Sequence, residues 1–239
     1  MSAKRDCTLA VLQPGYLPWL GFFDQLIRSD VFVFYDDVQF DKNGWRNRNR
    51  IKSPAGPHWL TVPVRINSLS QSMLETTIDN RRPWARKHVG TIKQFYAKAP
   101  YLKRYLPELE ELLMGRRWER LIDLDIAVTE LFCSWLTIER RMTRSSELGI
   151  KGERSERLLN LCRHFAARRY LSGNSAQSYL DVDLFASHGI EVEWQNYRHP
   201  VYPQQHGDFI PLMSTLDLLL NCGDESLAII SRGSSRTPA

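Results

Sequence analysis

Residues 31–35 read Val-Phe-Val-Phe-Tyr, with no polar side chain at any alternate position. A strand wetted on one face would alternate, so a run of this kind suits a strand covered on both faces, as in a parallel sheet between layers of helices. Residues 8–12 form a second apolar run, stopped by Gln13-Pro14-Gly15, where the proline ring and glycine end regular pairing. Residues 20–27 between them read as a short helix, and the three segments make a βαβ unit.

The rest of the chain continues the theme. Residues 59–64 read as a strand near a sheet edge, because Pro63 interrupts it. Residues 84–98 carry Trp84, His88, Ile92, Phe95 and Ala99 at three- and four-residue steps behind Pro83, which predicts a helix. Further helices are predicted over 107–114, stopping at Gly115, and over 118–138, so the middle is helical. Beyond Arg141 strands (142–145, 169–171, 190–194) alternate with a helix over 153–167, which argues for a mostly parallel sheet. Ser214 and Asp217 have capping-box spacing ahead of three leucines, with Gly223 as the stop. The expected fold is α/β, a mostly parallel sheet flanked by helices with a helical middle segment, in one domain over 1–230 with a frayed polar tail over 231–239.

The N-terminal residues lack the apolar stretch of a signal peptide, and no segment approaches the roughly 18 uninterrupted apolar residues of a membrane span, so a cytoplasmic protein without membrane contact is expected. Cys7, Cys133, Cys162 and Cys222 show no Cys-x-x-Cys pair and read as buried thiols, with neither a disulfide framework nor a zinc site signalled. The net charge of +5 favours an anionic partner.

Several constellations could carry chemistry. Asp36-Asp37-Val38-Gln39 begins where the apolar strand ends, and the carboxyl ends of strands line the ligand crevice of open α/β sheets, so these acids could bind a metal, hold a ribose or act as base. In Trp45-Arg-Asn-Arg-Asn-Arg-Ile-Lys52, an extended backbone puts Arg46, Arg48, Arg50 and Lys52 on one side and Asn47 and Asn49 on the other, a row able to clamp a diphosphate or to guard a sheet edge. Ser172-Gly173-Asn174-Ser175 sits in a predicted strand-to-helix turn. His88 shares a helical face with Trp84 and Ile92, whereas His199 lies in a rigid polar loop with Tyr202 and Gln204. No Gly-x-Ser-x-Gly elbow, P-loop or Gly-x-Gly-x-x-Gly fingerprint is present, nor a His-Glu-x-x-His zinc motif.

The runs Leu12-Gln-Pro-Gly-Tyr-Leu-Pro-Trp-Leu-Gly-Phe-Phe-Asp24, Tyr35-Asp-Asp-Val-Gln-Phe40 and Trp45-Arg-Asn-Arg-Asn-Arg-Ile-Lys52 resemble the opening of the WbqC-like family. Tyr170-Leu-Ser-Gly173, His199-Pro-Val-Tyr-Pro-Gln204 and Phe209-Ile-Pro-Leu-Met-Ser214 resemble its other end, so the likeness spans almost the whole chain. Leu12 stands where many members have His. The resemblance implies a bacterial protein associated with O-antigen or other surface-polysaccharide (lipopolysaccharide) biosynthesis. It marks Gln13, Tyr16, Pro18, Asp36, Asp37, Gln39, Asn47, Arg48, Asn49, Lys52, Trp59, Trp84, Lys87, His88, Ser172, Gly173, His199, Tyr202, Gln204, Ser214, Asp217 and Asn221 as motif positions.

The first βαβ unit also resembles that of nucleotidylyl transferases and acid-activating ligases, an HUP-like core, with Tyr16-Leu-Pro-Trp19 in place of their His-x-Gly-His. The expected function is therefore a transferase moving an acyl or aminoacyl group to an amino sugar on a nucleotide. Asp37, His199 and His88 are the candidate catalytic groups, with Gln13, Tyr16, Asp36, Gln39, Asn47, Arg48, Asn49, Lys52, Ser172, Tyr202 and Gln204 as substrate contacts. Alternatives are nucleotidyl transfer or ATP-dependent ligation with Mg²⁺ on Asp36 and Asp37, and a nucleic-acid-binding module, against which the acids beside the arginine row count.

Overall fold

The computed structural model describes residues 6–42 and 44–234; residues 1–5, 43 and 235–239, and with them the start of the N-terminal segment and the end of the expected tail, lie outside the described residues. In chain order the elements are β1 (Thr8–Leu12), α1 (Leu20–Arg28), β2 (Val31–Phe34), a hairpin of β3 (Arg48–Ser53) and β4 (Gly56–Thr61), and the short strands β5 (Val64–Arg65) and β6 (Thr77–Ile78). The helices α2 (Trp84–Phe95), α3 (Leu102–Met114) and α4 (Leu121–Trp135) follow. Then come β7 (Arg141–Arg144), α5 (Ser145–Leu148), α6 (Arg154–His164), β8 (Arg169–Ser172), α7 (Val182–Ser187), β9 (Glu191–Trp194), α8 (Thr215–Cys222) and α9 (Ser226–Arg232).

Five strands form one parallel sheet in the order β7-β2-β1-β8-β9. The apolar run of β2 is used on both faces. Leu9, Val11, Val31 and Val33 pack into the cluster with Leu158, Cys162 and Phe185, while Ala10, Phe32 and Phe34 pack with Phe22, Phe23 and Phe132 on the other side. Each such side chain, wholly removed from water, contributes on the order of 1.5–3 kcal/mol. The helical middle joins the second of these clusters through Ile92, Leu109, Leu124 and Val128.

Taken in chain order, the sheet runs third, second, first, fourth, fifth, the doubly wound arrangement in which the direction of winding reverses beside β1. The connections leaving the carboxyl ends of β1 and β8 therefore pass to opposite faces of the sheet, α1 to one and α7 to the other.

Some boundaries differ from the sequence expectation. The helix expected from Pro107 starts at Leu102 with Pro107 inside it, because the buried stripe Tyr105, Leu106, Leu109 and Leu113 outweighs one missing backbone hydrogen bond. The strand expected over 59–64 ends at Thr61 and begins at Gly56, whose φ of 101° makes the turn of a hairpin that pairs it with β3. The expected polar tail from Ser231 begins inside α9, and the Ser234 hydroxyl bonds Asp24. No helix among the described residues is long and apolar enough to cross a membrane.

Candidate functional site

The loop from Gln13 to Trp19, between β1 and α1, closes over the winding reversal. It can approach the hairpin because Gly15 has no side chain: a Cβ there would stand 2.7 Å from the Trp45 carbonyl oxygen. Tyr16 donates its backbone N–H to Arg46 O at 2.8 Å, and the Arg46 guanidinium donates back to Gln13 O and Pro14 O at 2.7 and 3.2 Å. Leu17 sits in the left-handed region at φ 50°, and the Asn49 amide fixes it by donating to its carbonyl at 2.7 Å.

Beneath this loop lies a pocket of about 300 Å³, walled by Leu12, Pro18, Trp19, Phe22, Trp45 and Leu212, with Gln13, Arg46 and Asn49 as its polar groups. The first turn of α1 borders it. No side chain caps that helix and no acid lies in its first turn, but the N–H of Phe22, its residue in the pocket wall, already donates to Trp19 O at 3.0 Å. The Arg46 Nε is buried without a hydrogen-bond partner among the described residues. Apolar walls and one guanidinium suit an anionic ligand with a ring.

The hairpin supplies the neighbouring surface. Arg50 lies opposite Trp59, with Arg48 on the same face. Trp45 and Trp59 are 41% and 42% exposed, with ring centroids 5.0 Å apart. The Arg48 guanidinium lies 4.7 Å from the Trp59 centroid, and that of Arg50 lies 5.1 Å from Trp45 and 5.7 Å from Trp59. The basic row is thus not one open clamp. Lys52, at the far end, is wholly buried and donates to the carbonyls of Gly207 and Asp208. Asn47 donates to Val62 O at 2.9 Å.

The paired acids sit one strand over from Gln13, at the end of β2. Asp36 is fully buried and accepts from Arg144 Nε at 2.7 Å, from the Ser145 and Ser146 hydroxyls at 3.0 and 2.7 Å, and from Ser146 N at 2.9 Å. Burial pushes its pKa up, but Arg144, Ser146 and Ser145 together outweigh that and hold it below the usual carboxylate value. Asp37 accepts from Ser145 Oγ at 2.6 Å and pairs with Arg157. With arginines and hydroxyls on their oxygens, these two acids do not fit a divalent ion. Among the described residues no group of three or more His, Cys, Asp or Glu side chains could hold one.

The histidines occupy separate surroundings. His88 is buried, its Nδ1 bonded to the Tyr16 hydroxyl at 3.0 Å, and burial depresses its pKa to about 4. Asp125 is also wholly buried nearby, with no hydrogen bond to either carboxyl oxygen among the described residues; burial drives its pKa well up, against the charge of Arg46. His199 donates from Nδ1 to Pro200 O at 3.1 Å, leaving Nε2 buried and unpartnered among the described residues. Burial lowers its pKa, so the ring is neutral at pH 7. Tyr197 bridges His199 to the pocket, with ring centroids 6.5 Å from His199 and 5.7 Å from Trp19.

Tyr202 and Gln204 both donate to Asp217 Oδ2 at 2.9 Å. Asp217 does not close a capping box. Ser214 alone caps α8, by accepting from Leu216 N at 3.1 Å. Ser172 is buried at the end of β8, and Gln39 is exposed with its amide on Leu69 O.

Of the expected site residues, the structure brings Gln13 and Asn49 to the pocket, with Asp36, Asp37 and Ser172 at the same sheet edge. Trp19, Trp45, Gly15, Asp125, Arg144 and Arg157 were missed. Trp45 and Arg46 open the row already singled out by its alternation; no local pattern marks the others. A larger cavity of about 450 Å³ beyond β7 is lined by Arg116, Arg117, Glu119, Asp123, Glu130 and Arg144. There Arg117 pairs with Glu119, and Arg144 with Asp36 and Asp123, so opposing charges already meet. Burial holds the Cys133 and Cys162 thiols up at about 12 and that of Cys222 at about 11, far from nucleophile range.

The model of the WbqC-like protein family matches residues 13–229. The chain is similar to the uncharacterized protein Rv1507c of Mycobacterium tuberculosis, with 36% identity over 219 residues, covering 91% of this chain and 95% of the relative. No solved structure matches.

Proposed function

The chain belongs to the WbqC-like protein family, and from that premise we propose that it is a transferase acting on a nucleotide-linked amino sugar, held in the pocket at the carboxyl end of β1. The observation that carries this reading is the pocket's composition at the carboxyl end of β1: aromatic walls and the Arg46 guanidinium, whose Nε is buried and unpartnered among the described residues. Phosphate oxygens meet Arg46, and the sugar ring lies between Trp19 and Trp45. The association with surface polysaccharides that the family resemblance implies points the same way.

In the transfer, the amine nitrogen adds to the carbonyl carbon of an acyl thioester. The C–N bond forms as the C–S bond breaks, and the amine proton passes through a base to the departing thiolate. His199 is the base of this reading, because its Nε2 has no hydrogen-bond partner among the described residues and burial lowers its pKa, whereas Asp37 is held by Arg157 and Ser145. Tyr197 stands between His199 and Trp19 of the pocket, so the amine must approach past that ring. Calorimetric titration with UDP- and GDP-linked amino sugars tests the binding. Affinity that falls at least tenfold in Arg46→Gln supports it, and equal affinity in the variant sinks it. ATP binding that requires Mg²⁺, with no response to sugar nucleotides, would favour nucleotidyl transfer instead.

A further inference from the structure

We infer that the open end of the β3–β4 hairpin is a nucleobase platform: Trp45 and Trp59, flanked by Arg48 and Arg50, stack the base of a nucleoside diphosphate whose phosphates reach Arg46. The inference rests on the ligand class proposed above and assigns the ligand's orientation.

Size comes first. A pocket of about 300 Å³ is at the low end for one small molecule, enough for a ring and its substituents and too small for a whole sugar nucleotide. The remainder of such a ligand must emerge past the rim. Trp45 belongs both to the pocket wall and to the exposed pair, so it makes the two surfaces continuous. Among the described residues, no other pair of tryptophans lies exposed beside this pocket.

Chemistry decides which part of the ligand lies there. The indoles are tilted by 42° at 5.0 Å, and each stays about two-fifths exposed, so part of each ring surface is open for stacking. The guanidiniums at 4.7–5.7 Å fix the rings and set two positive charges beside them. A base offers a flat π-face to an indole and carbonyl acceptors to a guanidinium edge. A pyranose offers a C–H face and a rim of hydroxyls, which match the Trp19 and Trp45 walls and the Gln13 and Asn49 amides of the pocket. Stacking on indole is tolerant of base identity, so both pyrimidine and purine diphosphates are expected to bind.

The test is calorimetric titration of the full chain with UDP, GDP, inorganic diphosphate and glucose 1-phosphate, for the wild type, Trp59→Ala, Trp59→Leu and Arg46→Gln. The Trp59 variants should weaken UDP and GDP about tenfold or more while diphosphate and glucose 1-phosphate change less than twofold. Arg46→Gln should weaken all four. Trp59 sits on the exposed face of its strand, and unchanged thermal melts of its two variants establish that the fold is intact. Glucose 1-phosphate weakened as much as UDP would put the sugar on the platform and overturn the inference, as would UDP affinity untouched by both Trp59 variants. Tighter, steeply salt-dependent binding of a short single-stranded RNA would make the face a nucleic-acid surface instead. Silence from all four probes on the wild type removes the ligand reading and the platform with it.

Discussion

Tyr96 Oη donates to Asp217 Oδ1 at 2.5 Å across 121 residues of sequence, and the same hydroxyl accepts the Lys52 backbone N–H at 2.9 Å. One phenol thus fastens α8 to the hairpin that carries Trp59, and Tyr202 and Gln204 complete the carboxylate from the other side. Tyr96→Phe removes a donor from a buried carboxylate and an acceptor from a buried N–H, so it should cost about 1–3 kcal/mol in urea unfolding. A variant as stable as the wild type would show that this junction does not hold the hairpin.

The Asp36 cluster makes acid sensitivity specific. Its folded pKa is held below the unfolded value of about 4, so the unfolded chain takes up the proton first as pH falls. The stability it contributes is complete above that value and is lost as pH drops through the folded pKa. Asp36→Asn should cost roughly 1–3 kcal/mol at pH 7, because charge-assisted hydrogen bonds to a buried carboxylate are weakened while Arg144 keeps Asp123, and should show a flatter decline below pH 4. Identical acid unfolding curves would refute the assignment.

Asp125 has the opposite sign. Its folded pKa is raised by burial, so the native state holds the proton longer, and stability falls as pH climbs from about 4 toward the folded pKa. Asp125→Leu should therefore stabilise the protein by about 1–3 kcal/mol at pH 7, with a smaller gain at pH 4. Arg46 keeps its two carbonyl acceptors in that variant. Destabilisation at neutral pH would mean that the carboxylate is charged and needed by Arg46.

Gly15→Ala would force a methyl group to 2.7 Å from the Trp45 carbonyl, a backbone atom that can move only with the hairpin. The expected cost is about 1–3 kcal/mol of stability, together with weaker UDP binding as the pocket opens. Calorimetry on the folded variant separates the two effects, and unaltered affinity would place the ligand elsewhere.

For the transfer step, His199→Ala should lower turnover by about 100-fold or more at unchanged fold, as loss of a general base does. Because burial holds its pKa below the ordinary histidine value, turnover should persist somewhat below pH 6.5 before its acid limb. Asp37→Asn tests the competing base. Full turnover in both variants would exclude this chemistry.

The sequence alone determined which segments are doubly covered strands and which side chains share a face, because both follow from local periodicity. The run at 31–35 required two apolar faces, and alternation put Arg48 and Arg50 together beside Trp59. It also placed Asp36 and Asp37 at a strand end. Tertiary structure alone decided what those groups meet. Arg144 and Arg157 reach the acids from 108 and 120 residues away, and nothing local distinguishes them from the chain's other arginines. Lys52 continues the same alternation as Arg48 and Arg50, yet it is buried because the segment at 207–208 closes over it. Asp217, which has the spacing of a cap, is drawn instead to Tyr96, Tyr202 and Gln204. The pocket exists because the β1–α1 loop, the segment at 45–49 and Leu212 converge at the end of β1. Periodicity fixes the face that a side chain occupies, but its partner is selected by packing among segments distant in the chain.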